Sequence, residues 1–462
     1  MSPQPDSAAQ THGVSFGEAL RFWCKLGFIS FGGPAGQIAI MHRELVEQRR
    51  WISESRFLHA LNYCMLLPGP EAQQLATYIG WLMHRTVGGV AAGVLFVLPS
   101  LALLIVLSWV YVAFGQVAWV AAFLYGVKPA VAALVFQALH RIASRTLKTP
   151  RTAPWLWALA ACSFVGIYFL QVPFPAIVLA AAGAGWLMVR WAPSQFTLNP
   201  LHPSGDSTKR VDAARWLIDD TTPTPAHARF SRTRLSRVLL GGLFLWAMPM
   251  AWLVQAYGWD ATLAQMGWFF TKAALLTFGG AYAVLPYVYQ GAVEHYSWLT
   301  GAQMMDGLAL GETTPGPLIM VVAFVGFLGG WANQVLGAQA QFLGAALAAV
   351  VVTWFTFLPS FVFILVGGPL VEATHGKLHW YAPLTAVTAA VVGVIASLGL
   401  FFLAHIAVVP DLGATHGWMH LDAFAISLAA AAWVGLVRFN IGVVPVILSC
   451  GLAGVVVRTV LL

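Results

Sequence analysis

Two short motifs, FGG and PGP, each occur twice in this 462-residue sequence, and both are suited to binding an anion. The motifs are Phe31-Gly32-Gly33, Phe278-Gly279-Gly280, Pro68-Gly69-Pro70 and Pro315-Gly316-Pro317. Each would break a helix inside an apolar segment. The helix that resumes after such a break offers unpaired backbone N–H groups and the positive end of its dipole. Glycine at the break also lets a ligand approach the backbone closely.

Cationic and hydroxyl side chains accompany the motifs. Lys25 and Lys272 each lie six residues before the phenylalanine of FGG, and Ser30 and Thr277 directly precede it. A lone ammonium at mid-bilayer costs about 2.5–3.5 kcal/mol on insertion scales, and an anionic ligand would recover part of this cost. Alternatively, each lysine extends to the membrane interface. Further candidate donors to an oxyanion lie beside the PGP motifs: Gln73, Gln74, Thr313 and Thr314.

One carboxylate flanks each PGP motif. Glu71 follows the first motif, and Glu312 stands three residues before the second. Because a buried carboxylate binds a proton more tightly, these two are our candidates for proton coupling. The structural alternative is a carboxylate that caps a broken helix end. Lys128 is a further intramembrane cation that could pair with a carboxylate nearby.

The motifs belong to an internal repeat. Residues 25–70 align without a gap onto residues 272–317, with 11 identities in 46 positions. After a 13-residue insertion in the second copy the alignment resumes, pairing Leu98-Pro99-Ser100 with Leu358-Pro359-Ser360. A duplicated membrane chain with Gly and Pro breaks at matching places indicates a transporter site between two halves.

The composition predicts a membrane protein. The chain is 59% hydrophobic and only 9% charged, whereas soluble domains carry roughly 25% charged residues. We expect nine full crossings, since a crossing needs about 17–25 apolar residues. The first 14 residues are polar, so we expect no cleavable signal peptide. The nine apolar runs are 94–114, 116–139, 154–171, 174–189, 238–259, 342–366, 381–404, 422–437 and 441–457.

Loop charges predict the orientation. The loop 190–237 carries eight Lys or Arg against four Asp, and residues 43–56 and 141–151 are also rich in basic residues, so all three are expected in the cytoplasm. The equivalent stretches of the second copy, 290–303 and 401–421, contain no Lys or Arg and are expected outside. The extra segment 238–259 inverts the second copy. The predicted domains are a polar tail (1–14), a first membrane repeat (15–190), a Pro-rich basic linker (191–237), an extra helix (238–259) and a second repeat (260–462).

The segments that carry the breaks are short and separated by charged residues. Two full crossings at 15–42 and 57–84 would put seven charged residues in fourteen outside. We therefore predict re-entrant hairpins, which are tolerated only where protein or a water-filled cavity satisfies the backbone. The alternative is that the glycines allow close helix packing and the prolines kink continuous helices. The predicted fold is an all-α polytopic membrane protein with two inverted-topology repeats, whose broken or re-entrant helices meet near the bilayer midplane.

Four segments together resemble the chromate transporter family, the long two-domain type often called ChrA. They are FGGPAGQIAIMHRE at 31–44, LPGPEAQQLATYIGW at 67–81, FGGAYAVLPYV at 278–288 and LGETTPGPLIMVVAFVGFLGG at 310–330. The resemblance implies a bacterial inner-membrane protein that exports chromate and confers resistance, in exchange for protons or driven by the membrane potential. It also implies that sulfate, a similar dianion, competes. The long linker at 190–237 and the extended loop at 331–341 depart from the family pattern without touching the motifs.

Other classes of protein fit the sequence less well. The pairs His375/His379 and His416/His420 have metal-binding spacing, but the expected topology puts them on opposite sides, and no motif calls for a metal, a cofactor or an enzyme. The net charge of +7 is explained by cytoplasmic loops beside anionic lipid rather than by nucleic acid. A passive anion channel would use the same groups; dependence of transport on a pH gradient, and its loss on neutralising Glu71 or Glu312, would distinguish a transporter from a channel. We expect alternating access in which one half rocks against the other around the anion; the oligomeric state stays open, a homodimer included.

Overall fold

The computed structural model describes residues 14–31, 33–147, 149–188, 216–219, 222, 225, 227–278, 280–373, 381–410 and 419–460. Helices dominate these ranges, as the composition predicts. The first copy contains α1 (Phe16–Ile29), α2 (Gly33–His42), α3 (Glu54–Cys64), α4 (Glu71–Phe114), α5 (Ala118–Thr146), α6 (Pro154–Tyr168) and α7 (Phe174–Met188). After α8 (Arg232–Tyr257), the second copy contains α9 (Thr262–Leu276), α10 (Ala281–Tyr289), α11 (Gly301–Thr313), α12 (Val321–Ala332), α13 (Gln341–Ala373), α14 (Tyr381–Ala407), α15 (Ala423–Val437) and α16 (Val443–Val460).

Short irregular elements complete the described chain. Helices α2 and α10 each continue into a π-helical turn, Arg43–Gln48 and Gln290–His295, at equivalent places in the two copies. Two 3-10 turns, Leu318–Met320 and Ala338–Ala340, precede α12 and α13. Strands β1 (Val408–Pro410) and β2 (Met419–Leu421) pair antiparallel between α14 and α15.

Each of the nine apolar runs identified in the sequence overlaps one helix of the described chain, and its ends lie within three residues of that helix. Among the described residues, five helices are long and apolar enough to cross a membrane: Glu71–Phe114, Ala118–Thr146, Arg232–Tyr257, Ala338–Pro369 and Ala382–Ala407. The remaining runs correspond to shorter apolar helices, among them α6 and α7 with 15 residues each. At 1.5 Å per residue, 15 residues extend about 22 Å, less than the roughly 30 Å of a hydrocarbon core. The count of nine full crossings therefore stays a prediction.

Helix α4 is two helices that reverse direction at His84 and Arg85. Both residues have non-helical backbone angles, and Arg85 has a φ of 57°. A side chain at Gly80 would collide with Ala92, and one at Gly89 with Thr77. In a continuous helix residues 80 and 92 would lie about 18 Å apart. The first part of α4 (71–83) therefore packs antiparallel on the start of its second part (86–114).

The FGG and PGP segments of the first copy form helical hairpins, the chain path that the predicted re-entrant segments require. After the FGG break α2 returns alongside α1, so that the Phe22 and Trp51 rings lie 4.9 Å apart and Glu18 lies 3.8 Å from Arg49. Helix α3 then enters again, and the first part of α4 returns after the PGP break. His84 at its end bonds the carbonyl of Val14 at the start of α1, over 2.9 Å.

The second copy repeats this path. Helix α9 leads to the FGG break, and the chain returns until Trp298 stacks on Phe270 of α9, with ring centroids 6.1 Å apart. Helix α11 then enters, and α12 returns after the PGP break until Gly329 packs against Met266 and Trp298. Helix α13 follows and corresponds to the second part of α4.

The linker contributes a docked segment. Ile218 forms a parallel bridge with Ile52, in the turn between the two hairpins of the first copy. Arg56 donates to the carbonyl of Thr222 at 3.1 Å, and His227 bonds the carbonyl of Trp81 at 2.9 Å. The described part of the predicted Pro-rich linker (191–237) thus packs on the first copy, and the last residues of the linker already belong to α8, which begins at Arg232. Residues 189–215 and the N-terminal 1–13 lie outside the described residues.

The helices pack as two bundles, and each bundle takes helices from both copies. The hairpin bundle contains α1–α4 and α8–α13. The six-helix bundle contains α5–α7 and α14–α16; here α5 of the first copy packs on α15 and α16, and α14 of the second copy packs on α6 and α7. Small residues allow these close crossings, as where Gly126 meets Gly454 and Gly393 meets Ala160. The two copies of the repeat are therefore interleaved rather than packed as separate halves.

Candidate functional site

The tips of the hairpins of the two copies bond each other reciprocally. The Gly69 N–H of the first PGP donates to the Thr277 carbonyl beside the second FGG, over 2.8 Å. The Gly316 N–H of the second PGP donates to the Ser30 carbonyl beside the first FGG, also over 2.8 Å. These four residues are equivalent pairs in the internal repeat. The duplicated motifs therefore meet across the repeat rather than within each copy.

The repeated Leu-Pro-Ser segments of the long helices, 98–100 in α4 and 358–360 in α13, pack against these tips. Ser100 in α4 lies against Gly316, and Ser360 in α13 lies against Gly69, so that a side chain at either glycine would collide with the serine. Both glycines have positive φ, 104° and 128° respectively, which few other residues tolerate. The hydroxyls of Ser30, Ser100 and Ser360 are fully buried, and none finds a hydrogen-bond partner among the described residues. Buried hydroxyls are normally paired, so these three are free to bond a ligand or water.

Two glutamines bond the tips through their amide nitrogens, and a third bonds within α4. Gln37 of α2 donates to the Gly316 carbonyl, Gln74 donates to the Pro68 carbonyl at 2.8 Å, and Gln73 donates to Thr77 at 2.9 Å. The side-chain N–H groups of the predicted donors Gln73 and Gln74 therefore already form hydrogen bonds within the protein. In each of the three, the amide oxygen is buried without a partner in the described part of the chain.

The predicted hydroxyl donors of the second copy are also engaged. Thr277 donates to the Ala273 carbonyl at 2.6 Å, Thr313 to the Leu310 carbonyl at 3.0 Å, and Thr314 to the Gly311 carbonyl at 3.0 Å. Such bonds within a helix leave the hydroxyl oxygen as an acceptor, not a donor. Of the hydroxyls predicted as donors, only that of Ser30 is without a partner among the described residues.

Both candidate carboxylates converge on the start of α10. Glu312, 3% exposed, accepts a hydrogen bond from Tyr282 in the first turn of α10. Glu71 lies against Gly280, since a Cβ on that glycine would be 3.7 Å from Glu71 Oε1. The positive end of a helix dipole attracts such carboxylates. The sequence predicts one carboxylate at each PGP break, and the structure brings both to the second FGG break.

A cavity of about 80 Å³ lies beside Glu312. The hairpin bundle supplies Gly33, Tyr282 and Glu312 to its wall, and the six-helix bundle supplies the rest: Gln137, Ala138, Arg141 and Val443. The cavity therefore lies on the boundary between the bundles. Arg141 brings a positive charge to this boundary and interacts electrostatically with Glu71, Glu312 and Tyr282.

The two predicted lysines lie elsewhere in the structure. The Lys25 ammonium is 3.9 Å from Glu44, and its side chain is 56% exposed. The Lys272 ammonium stands 5.6 Å from the centroid of the Trp268 ring, a cation–π contact on the same helix. Neither lysine lines the cavity.

The remaining predicted residues belong to the breaks themselves. Phe31 is 40% exposed, whereas Phe278 packs against the main hydrophobic core. Pro70 and Pro317 directly precede the returning segments, at Glu71 and Leu318, and Pro315 is buried. Gly32 and Gly279, and also His375, His379 and His416, lie outside the described residues.

Sequence reasoning missed two features of this region. Arg141 counts as a loop residue by its charge, but α5 extends to Thr146 and carries it beside the cavity. Asp306 of α11 is 3% exposed; its Oδ2 accepts from Tyr111 at 2.9 Å, and Lys128 acts on its charge. The repeat alignment gave no signal for Asp306, because the equivalent residue is His59. Lys128 does lie near a carboxylate, one of the two options left open by the sequence.

Apolar helices of spanning length, interrupted helices and a charged cavity define a multi-pass membrane protein of the kind that moves small solutes. The chain belongs to the chromate transporter family, whose sequence profile matches it in two segments, residues 17–186 and 264–455. These segments coincide with the two copies of the repeat.

Curated relatives carry the same family name. A chromate transport protein of Pseudomonas aeruginosa is 34% identical over 448 residues, covering 96% of this chain and 92% of that protein. One from Cupriavidus metallidurans is 29% identical over 402 residues, 85% of this chain and 86% of its own length. An uncharacterised transporter of Bacillus subtilis, YwrB, is 26% identical over 150 residues, 32% of this chain but 75% of its own length. No solved structure matches the chain.

Proposed function

We propose that this protein exports chromate from the cytoplasm across the bacterial inner membrane and thereby confers resistance to chromate. Family membership and the names of the two long relatives support chromate as the substrate. The observation that carries the transport proposal is the reciprocal bonding of Gly69 to Thr277 and of Gly316 to Ser30. This bonding places broken helices of both repeats around one centre, the arrangement in which secondary transporters bind their substrates.

The orientation follows from the docked linker. Arg56, in the hairpins of the first copy, bonds Thr222 of the linker, so both belong to one side of the membrane. That side also carries Arg49 and Arg50, and the positive-inside rule makes it cytoplasmic. The hairpins of the first copy then open toward the cytoplasm and those of the second copy toward the outside. The two copies are inverted-topology repeats in this proposal.

The moving units are the two bundles rather than the two repeats. Helix α5 is packed on α15 and α16 of the other copy, and separating the repeats would expose these contacts. The boundary between the hairpin bundle and the six-helix bundle contains the polar cavity. Sliding or rocking along this boundary would open the cavity alternately to the two sides and leave each bundle intact.

The charges favour the membrane potential over proton antiport as the driving force. Antiport requires that the anion and the proton bind in turn. Glu312 lines the polar cavity at the boundary between the bundles. An anion bound beside it would instead favour protonation of Glu312, because protonation removes the repulsion between the two negative charges. The membrane potential needs no such alternation. A dianion that leaves a cell with an interior at −100 mV gains about 4.6 kcal/mol, enough for roughly a thousandfold gradient.

Uptake of labelled chromate into everted vesicles tests both the substrate and the driving force. Respiring everted vesicles have an interior that is positive and acidic, so that export becomes accumulation. Valinomycin with potassium removes the potential and leaves the pH gradient; nigericin removes the pH gradient and leaves the potential. We expect accumulation that valinomycin abolishes, nigericin spares, and excess sulfate reduces by competition.

Three other results would change this proposal. Loss of accumulation with nigericin alone would establish the proton antiporter that the sequence leaves open. Sulfate uptake without chromate uptake would identify a transporter of another oxyanion. Accumulation that follows the potential but does not saturate at high chromate would identify a passive anion channel.

A further inference from the structure

We infer that the cavity between the two bundles is the oxyanion-binding site, with Arg141 as the residue that neutralises the anion. This inference rests on the proposed function, and it assigns the site to α5 residues outside the motifs together with Gly33 of the first FGG motif. It also moves the positive charge of the site from Lys25 and Lys272 to α5.

The charge of Arg141 is available to a ligand. No carboxylate of the described residues lies within 4 Å of its guanidinium, although four other basic side chains of the hairpin region, Lys25, His42, Arg49 and Arg56, are engaged in ion pairs or hydrogen bonds. An arginine has five N–H donors in a planar fork that matches two oxygens of a tetrahedral oxyanion. A half-buried arginine without an acidic partner, beside a cavity, is therefore suited to such a ligand.

The other walls add donors. Gln137 stands one turn before Arg141 on α5, and its amide nitrogen makes one long bond, 3.4 Å, to the Leu436 carbonyl, which leaves its second N–H for a ligand. Gly33 begins α2, a ten-residue helix, and the space beside it is open: a Cβ there would meet nothing within 4 Å. Gly33 lines the cavity, and the start of a helix carries unpaired N–H groups that suit an anion.

The size of the cavity admits a small ion. At about 80 Å³ it exceeds several-fold the roughly 10–15 Å³ that a single water needs. It is far smaller than the roughly 300–1,000 Å³ of pockets that bind drug-sized molecules. A tetrahedral oxyanion is the class of ligand that combines this small size with the need for a fork of donors.

The position of Glu312 makes its carboxylate a competitor of the bound anion. Its carboxylate shares the cavity with Arg141 and accepts from Tyr282. In the empty protein this carboxylate compensates the charge of Arg141 electrostatically. A bound dianion would also compensate the positive charge of Arg141, so Glu312 and the dianion compete for this arginine. Neutralising Glu312 should therefore tighten anion binding, whereas neutralising Arg141 should weaken it.

Equilibrium binding of labelled chromate and labelled sulfate to the purified full-length protein in nanodiscs tests this inference. Arg141→Gln should weaken binding at least tenfold, and Arg141→Lys, which keeps the charge but not the fork, should weaken it less. Glu312→Gln should strengthen binding severalfold at neutral pH. The matched control is Arg145→Gln, one turn further along α5 and exposed, with unchanged binding.

The outcomes separate this inference from the proposed function. If the wild-type protein transports and binds chromate but Arg141→Gln folds and binds as tightly as wild type, the cavity is not the site and the exporter stands. If the wild-type protein neither binds nor transports chromate, the proposed function fails. If Arg141→Gln does not fold, Arg141→Lys and Gln137→Ala decide: wild-type affinity in both would overturn the assignment, and weakened binding in both would support it.

Discussion

Four glycines at the tips have positive φ, and replacing them with alanine allows the cost of backbone strain to be measured separately from the cost of a steric clash. Gly33 and Gly280 have φ of 68° and 95°, and a Cβ on either would meet no atom closer than 3.7 Å. Gly69 and Gly316 have φ of 128° and 104°, and a Cβ on either would also collide, in Gly316 with Ser100 Cβ at 2.7 Å. Alanine at an FGG position would therefore suffer backbone strain alone. Alanine at a PGP position would suffer both backbone strain and a steric clash.

The magnitudes follow from these two terms. An L-residue in the left-handed region costs about 1–2 kcal/mol, and overpacking a buried site costs about 1–3 kcal/mol more. Gly33→Ala and Gly280→Ala should therefore lower the free energy of unfolding by about 1–2 kcal/mol. Gly69→Ala and Gly316→Ala should lower it by about 2–5 kcal/mol. Gly183→Ala is the control, because that helical glycine has open space around it and alanine is favoured there by about 0.5–1 kcal/mol.

Thermal unfolding of the purified variants, followed by size-exclusion chromatography with fluorescence detection, measures the order. The expected melting temperatures fall from Gly183→Ala and wild type, through the two FGG variants, to the two PGP variants. A second change tests the clash: Ser360→Ala should partly rescue Gly69→Ala, because the Ser360 hydroxyl is in the way. Ser100→Ala should not rescue Gly316→Ala, because there the Ser100 Cβ itself collides. Equal destabilisation of all four glycine variants would refute this reasoning.

Three further predictions concern buried and docked groups. Tyr282→Phe removes the donor to buried Glu312 and should lower the melting temperature, at a cost of about 1–3 kcal/mol; a melt equal to wild type would show that Glu312 finds another partner. Tyr111→Phe should cost a similar amount by removing the 2.9 Å bond to Asp306, whereas Tyr111→Phe combined with Asp306→Asn should cost less than the sum of the two single changes, as a double-mutant cycle would measure. Burial lowers the pKa of His227 below its ordinary value, so the neutral ring is the docked form; linker docking is complete above about pH 6.5 and weakens as the pH falls below it. Trypsin cleavage near His227 should accelerate below that pH in wild type and show no such step in His227→Gln.

The breaks and their pairing could be predicted from the sequence because they rest on backbone chemistry. Glycine and proline interrupt helices wherever they occur in such density, and a charged turn between two short apolar segments cannot easily cross a bilayer. The hairpins therefore follow from Gly69, Gly316 and the arginines between the segments. The pairing across the repeat was also implied, since breaks that enter from opposite sides meet at their tips.

The charge at the cavity could not be predicted in the same way. An apolar run ends where the hydrophobicity ends, but α5 continues for two turns beyond it and carries Arg141 to the bundle boundary. The interleaved bundles have no signature in one sequence, because an apolar run shows that a helix is buried but not which helix it packs against. The placement of Lys25 depends on Glu44, a partner that is distant along the helix path and visible only once α2 is seen to fold back.

The reciprocal hydrogen bonds also constrain how the protein is made. The Gly69 N–H finds its acceptor, Thr277, 208 residues further along the chain, so this donor has no native partner while the ribosome is still synthesising the second half. An unsatisfied backbone group in hydrocarbon costs several kcal/mol. The hairpins of the first half must therefore wait in a wet or shielded environment, at the membrane surface or beside the insertion machinery, until their counterparts arrive. Nascent chains halted before Thr277 should consequently be the forms most exposed to membrane proteases.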